Sequence, residues 1–186
     1  MSSAPKSCVI RFFAPVDGNS INTLLSSVDQ MMQQGIRSVN LLLSSPGGTV
    51  FHGLSGYNYL KGIPAQVTTH NFGSVDSIGL VLFCAGSRRL SVPHARFLMH
   101  GVSTTLAKDQ AFEEKQLEEI LKGIRIDMLN IARVIASNTG KNEDDVKAAM
   151  LERTTLDPDQ AKQWGLVHEI RSEVFEQGSK VIAIHQ

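Results

Sequence analysis

The sequence lacks an excess of charge of either sign. Lysine plus arginine and aspartate plus glutamate number 18 each, so the formal net charge is zero. That removes the broad basic face on which nucleic-acid binding rests, and any acidic tail. It also leaves no net repulsion between copies, which permits self-association. Cysteine is scarce. Cys8 and Cys84 stand far apart, with neither zinc-site spacing nor a disulfide framework, so a reducing, cytoplasmic setting is expected. No apolar run is long enough to span a bilayer, and residues 1–7 contain no apolar signal core. No membrane partner is therefore expected. Nucleotide and metal motifs are missing too: there is no Gly-x-x-x-x-Gly-Lys-Ser/Thr and no His-Glu-x-x-His. No cofactor and no metal are expected, and any ATP dependence would come from another chain.

What is present is enough for one domain over residues 1–186, with 42% hydrophobic residues to fill a core. The opening reads as strand 8–13, turn 14–18, helix 21–34 capped by Asn19 or Ser20, and strand 39–44. Ile21, Leu24, Leu25, Val28, Met31 and Met32 supply that helix with one apolar face. Two parallel strands joined by a crossover helix follow from this order, which is an α/β arrangement. A second helix over 50–61, a strand over 65–70 and a helix over 78–85 continue it. Short strands are expected at 90–92 and 95–100, then a long helix over roughly 110–138 whose stripe includes Leu117, Ile120, Leu121 and Ile124. Helices 143–151 and 158–164, capped by Asn142 and Asp157, and brief strands at 154–156, 166–170 and 181–184 complete the chain.

The organising stretch is Gly73-Ser74-Val75-Asp76-Ser77-Ile78-Gly79. It lies where a strand hands over to an apolar helix, and glycines flank the serine on both sides. A serine there stands near a helix N-terminus, where free N–H groups and the dipole favour negative charge. Serine is also simply a good cap. Acyl transfer needs a nucleophile, a base and donors for an oxyanion. Ser77 offers the first and the Ile78 N–H one donor; the bare backbone of Gly47-Gly48 offers another. In open α/β sheets such groups gather at the carboxyl ends of strands. Among six histidines, His100 ends an apolar strand, and His70, at the end of the preceding one, is the runner-up.

Three ordered motifs, Ser45-Pro46-Gly47-Gly48, Gly73 through Gly79, and Pro93-His94-Ala95-Arg96-Phe97-Leu98-Met99-His100, resemble the proteolytic-subunit family of the Clp protease. The family pattern is Asn-Ser-Pro-Gly-Gly, Gly-x-Ala-Ala-Ser-Met-Gly and Pro-Asn-Ser-Arg-x-Met-Ile-His. The resemblance extends over about residues 39–170 and includes Gln160-Ala161 and Gly165-Leu166-Val167. It implies a Clp/crotonase-type spiral of β-β-α units with a long protruding handle helix, here approximately residues 106–138. It implies a serine endopeptidase acting on short or unfolded polypeptides, with Ser77 as nucleophile and His100 as general base. The N–H groups of Gly48 and Ile78 would form the oxyanion hole. It further implies a homo-oligomeric ring and an ATPase unfoldase partner.

The chain departs from the family in several places. The triad acid of the family falls, ungapped, on Arg153; Glu152 is one residue off and Asp157 four residues on. Val75-Asp76 replaces the Ala-Ala before the serine, placing a carboxylate next to the nucleophile. Only about seven residues precede Cys8, where the family carries its pore loops. That weakens the case for an unfoldase partner. Two further readings stay open: a serine–lysine peptidase with Lys108 or Lys115 as base, and a catalytically silent structural or binding subunit. Arg153 and Asp76 favour the latter. The acyl-CoA-binding crotonase branch is disfavoured, because its oxyanion site needs no serine nucleophile.

Overall fold

The computed structural model describes residues 7–106, 108–176 and 179–185, so nearly all of the short segment ahead of Cys8 lies outside the described residues. Its opening strand β1 (Cys8–Phe13) pairs in parallel with β2 (Ser38–Ser45), and α1 (Gly18–Gln33) crosses between them. The helix starts earlier than the sequence pattern predicts. Asp17, not Asn19 or Ser20, is the cap: its carboxylate accepts the Ser20 N–H at 2.8 Å, and the Ser20 hydroxyl accepts the Asp17 N–H at 3.0 Å. This reciprocal capping box satisfies two N–H groups at once, which a cap inside the helix would not. Helix α2 (Val50–Gly62) leads to β3 (Gln66–Asp76).

β3 is the spine of the molecule. It was expected to end at residue 70, but it runs on to Asp76 because it finds a second partner. Residues 68–71 pair with β4 (Arg88–Ser91), and residues 74–76 pair with β5 (Arg96–Leu98), both in parallel. Between them, α3 (Gly79–Phe83) is only five residues long. Among the described residues the sheet runs β6-β5-β3-β2-β1-β8, with β4 branching from β3 and β7 pairing with β4. Here β6 is Thr155–Leu156, β7 is Glu169–Ile170 and β8 is Val181–His185. β8 lies parallel to β1, and β6 lies antiparallel to β5.

The long helix α4 (Glu114–Thr139) begins later than expected. Glu113 and Gln116 form its capping box, and residues 101–106 carry no regular structure. Only the C-terminal half of α4 is in the core, through Ile131, Ala132, Ile135 and Ala136. Leu117 and Leu121, in its first half, are each 46% exposed. Helices α5 (Glu143–Leu151) and α6 (Pro158–Gln163) follow, capped by Asn142 and Asp157 as the sequence suggests. Among the described residues no helix is long and apolar enough to cross a membrane.

One core holds the fully buried Phe12, Leu41, Leu43 and Phe97 of the strands together with Phe83 of α3. The Phe83 and Phe97 rings stack obliquely at 5.2 Å, a favoured aromatic geometry. A buried arginine ties the ends together. Arg89 donates to the carbonyls of Asn138 at 2.6 Å, Leu166 at 2.8 Å and Gly165 at 3.1 Å. Those carbonyls replace the water it loses, and burial lowers its pKa.

His70 sits in the middle of β3, not at a strand end. The neighbouring Thr69 hydroxyl bonds the Phe83 carbonyl on the helix side, so strand alternation turns His70 to the other face. It is 2% exposed there, and both ring nitrogens lack a hydrogen-bond partner. Burial first, and then the positive Arg171, push its pKa down to about 4, against weaker opposing pulls from the nearby Arg171 and Ser91 backbone, whose geometry falls short of a full hydrogen bond, and from Glu169. The folded protein therefore holds His70 neutral while the unfolded chain protonates it near pH 6.5. The sign follows: stability present above that pH is lost as pH falls toward 4, by up to about 3 kcal/mol. Urea midpoints measured from pH 7.5 to 4.5 should fall in the wild type and fall less in His70→Leu. Parallel curves would show that His70 carries none of the dependence.

Candidate active site

The site is built where β3 ends. Ser77 follows Asp76 with φ 59, in the left-handed region that non-glycine residues seldom occupy. Two backbone bonds hold it: the Ser77 N–H donates to the Leu98 carbonyl at 2.8 Å, and the Ser77 carbonyl accepts the Leu80 N–H at 3.0 Å. The first ties Ser77 to β5, which ends at Leu98 and not at His100 as the sequence pattern suggests, so the strand that leads to His100 also fixes the serine.

The glycine loop comes in from β2. A Cβ on Gly47 would lie 2.5 Å from the Ser77 Cβ and 2.8 Å from the Asp76 carbonyl oxygen. One on Gly48 would lie 2.2 Å from the Val16 carbonyl oxygen. Both residues also have positive φ, 88 and 151. Only glycine fits such an approach. The loop is pinned to the turn after β1: the Val16 N–H donates to the Gly47 carbonyl and the Thr49 N–H to the Val16 carbonyl, each at 2.8 Å. Among the described residues, neither the Gly48 nor the Ile78 N–H is spent on an internal hydrogen bond.

Ser77, His100 and Gly48 line one cavity of about 70 Å³, with Met99, Ile131 and Met150 among its apolar walls. Lys108 and Lys115 do not line it. The His100 Nδ1 lies 2.7 Å from the Gly101 carbonyl oxygen. A carbonyl can only accept, so Nδ1 carries the proton and Nε2 is left as the acceptor. No hydrogen bond joins Ser77 to His100 in this structure, and such contacts tighten in many enzymes only when substrate binds.

Neither carboxylate named for the third position bonds His100. Asp157 is engaged elsewhere, accepting the Gln160 N–H at 2.8 Å as the cap of α6. Glu152 is exposed at the end of α5. The register brings the segment that holds Arg153 up to the end of β5. Phe97 pairs with Leu156 and Leu98 with Thr155, and the Met99 N–H donates to the Thr154 carbonyl. Arg153, the next residue toward α5, is exposed, has φ 55 and is not among the residues lining the cavity.

Asp76, 7% exposed, turns away from the cavity. Its oxygens accept the Ser74 hydroxyl at 2.6 Å and the Arg96 guanidinium at 2.9 Å. They line a separate cleft of about 440 Å³ with Phe13 and Ser44. The carboxylate beside the serine is thus spent on an ion pair.

With this geometry in place, the comparisons with known proteins decide the family. The Clp protease family model matches residues 1–174. The chain belongs to the Clp protease family. It is 28% identical over 125 residues to the ATP-dependent Clp protease proteolytic subunit of Bdellovibrio bacteriovorus, covering 62% of this chain and 56% of that one. It is 28% identical over 109 residues to the ATP-dependent Clp protease proteolytic subunit 2 of Corynebacterium efficiens, covering 58% and 53%. The chain thus spans about half the length of the curated relatives it matches. The fold matches a point mutant of ClpP1 from Listeria monocytogenes with a TM-score of 0.78, over 90% of this chain and 92% of that one, at 20% identity. The mixed α/β architecture with its long helix is therefore the Clp fold that the sequence motifs imply.

Gly47→Ala should cost more than about 2 kcal/mol in urea unfolding, combining an unfavourable φ with contact against backbone. Gly62→Ala, where an added Cβ meets nothing within 4 Å, serves as control and should leave the midpoint unchanged or raised. A Gly47→Ala variant as stable as the control would contradict the close approach.

Proposed function

We propose that this protein is a serine endopeptidase of the Clp type, cleaving peptide bonds in short or unfolded polypeptides. The observation that carries the reading is the convergence of Ser77, His100 and Gly48 on one cavity, with the His100 tautomer set to accept a proton at Nε2. In this reading the Ser77 Oγ attacks the substrate carbonyl carbon, and its proton passes to Nε2. The Gly48 and Ile78 N–H groups take the oxyanion. As the tetrahedral intermediate collapses, Nε2 gives the proton to the leaving amine, and water then releases the acyl group by the same steps in reverse.

The third position is where the chain differs. An acid would both orient the histidine and stabilise its cation. Here the Gly101 carbonyl supplies orientation alone, while Arg153 stands where the family's motif spacing puts the acid. Glu152 and Asp157 are the carboxylates that a local shift could bring in. Arg153 also keeps alive a second reading, a silent subunit of the same fold. The half-exposed Leu117 and Leu121 on α4 support a homo-oligomer, in which one domain of residues 1–186 assembles into a ring through that helix. By kinship with the ATP-dependent relatives, an ATPase is the further partner proposed, with the cytoplasm as the setting.

Fluorophosphonate labelling tests the reading directly. The wild type should become covalently labelled, and Ser77→Ala and His100→Ala should not. A wild-type oligomer that stays unlabelled would sink the peptidase reading and leave the silent subunit in its place. A second prediction concerns the acid. Arg153→Asp places a carboxylate where the family's motif spacing puts the acid, in a residue type that tolerates positive φ better than arginine. It should raise kcat about tenfold or more, with KM little changed. An unchanged kcat would mean that position 153 does not act on the histidine.

A further inference from the structure

A groove of about 500 Å³ opens from the catalytic cavity and shares Gly48, Val50, Val102 and Ser103 with it. One wall is the irregular stretch after His100. The other is a single face of α4, where Ile120, Gly123, Ile124 and Asp127 follow one another at helical spacing. Gly123 leaves that face bare, since an added Cβ would meet nothing within 4 Å. Asp127 is the one charged residue among the described residues that line the groove, and no ion pair or hydrogen bond engages its carboxylate. The stretch from Ser103 to Thr105 has no regular structure and is mostly exposed. Its backbone is free to pair with an added extended strand, which is a common way to hold a peptide.

We infer that this groove holds the substrate as an extended peptide and selects a lysine or arginine side chain through Asp127. The apolar walls take the aliphatic stem of such a side chain, and the carboxylate takes its charged head. A neutral residue of equal length fills the walls but leaves Asp127 unpaired. An acidic one is repelled. This preference rests on the peptidase reading, because the groove matters to chemistry only if Ser77 is the nucleophile at its inner end.

Binding separates the two questions. In the Ser77→Ala protein, fluorescence anisotropy would compare labelled peptides identical except for lysine, glutamine or glutamate at one position, moved stepwise along the chain. At one position lysine should bind about fivefold more tightly than glutamine, the size expected of a partly exposed pair, with glutamate weakest. Raising the salt should shrink the difference. Asp127→Asn should abolish it, and Asp127→Glu, which keeps the charge, should retain it. Equal affinities, no binding of any of the peptides, or a preference that survives Asp127→Asn would each overturn the inference. Fluorophosphonate labelling of the wild type reports on Ser77 separately. A labelled protein with no charge preference refutes the groove assignment alone, and an unlabelled one refutes the peptidase reading whatever the peptides do.

Discussion

The site depends on how closely one strand-end loop can approach another. Gly47 comes so near Ser77 that no side chain could stand between them. That approach brings the next N–H, on Gly48, to the wall of the cavity that Ser77 and His100 share. Everything around it serves the same constraint. Val16 pins the loop from one side, and the Leu98 carbonyl holds the Ser77 backbone from the other. Ser77 keeps its left-handed conformation because β2, β3 and β5 all determine its position. An isolated turn of the same sequence would relax to an unstrained one. Since β5 also leads directly to His100, serine and histidine are set by one piece of sheet.

β3 makes this possible by changing partners. Its first half pairs with β4 and its second with β5, so the sheet divides just ahead of Ser77. The division has an electrostatic consequence. Asp76 and Ser77 are adjacent in the chain, yet their side chains line different clefts. A carboxylate next to a nucleophilic serine would oppose a developing oxyanion if both faced one cavity. Its bond to Arg96 also lowers the cost of burying it. The Val-Asp pair that departs from the family pattern is thereby accommodated without its charge facing the cavity that Ser77 and His100 share.

Much of this was legible in the sequence because it is local. The strand–helix order, the caps at Asn142 and Asp157, and the glycine and serine loops are written in short-range patterns of period, cap and turn. What the sequence hid is non-local. β3 continues past His70 only because β5 pairs with it, and no property of residues 71–76 alone announces that. Glu113 fixes the start of α4, where periodicity had suggested an earlier one. Asp17 displaced Asn19 and Ser20 as a cap because Ser20 was more useful three residues into the helix, returning the bond. The Gly101 carbonyl at His100 could not be found by searching side chains, since a main-chain acceptor has no signature.

The third catalytic position shows how the two kinds of information combine. Motif alignment alone puts Arg153 where an acid belongs and suggests a damaged triad. The strand pairing reaches Leu98 with Thr155 and the Met99 N–H with the Thr154 carbonyl, which brings the segment that holds Arg153 up to the end of β5. The hydrogen bond from His100 to Gly101 then divides the acid's two tasks. Orientation costs only a well-placed acceptor, and a neutral carbonyl suffices. Stabilising the imidazolium needs negative charge, and a cation on that side works against it. The Gly101 carbonyl meets the first task only. In the proposed peptidase reading the unengaged N–H groups of Gly48 and Ile78 would then carry more of the stabilisation, because donors aimed at an oxyanion act whatever the charge on the base.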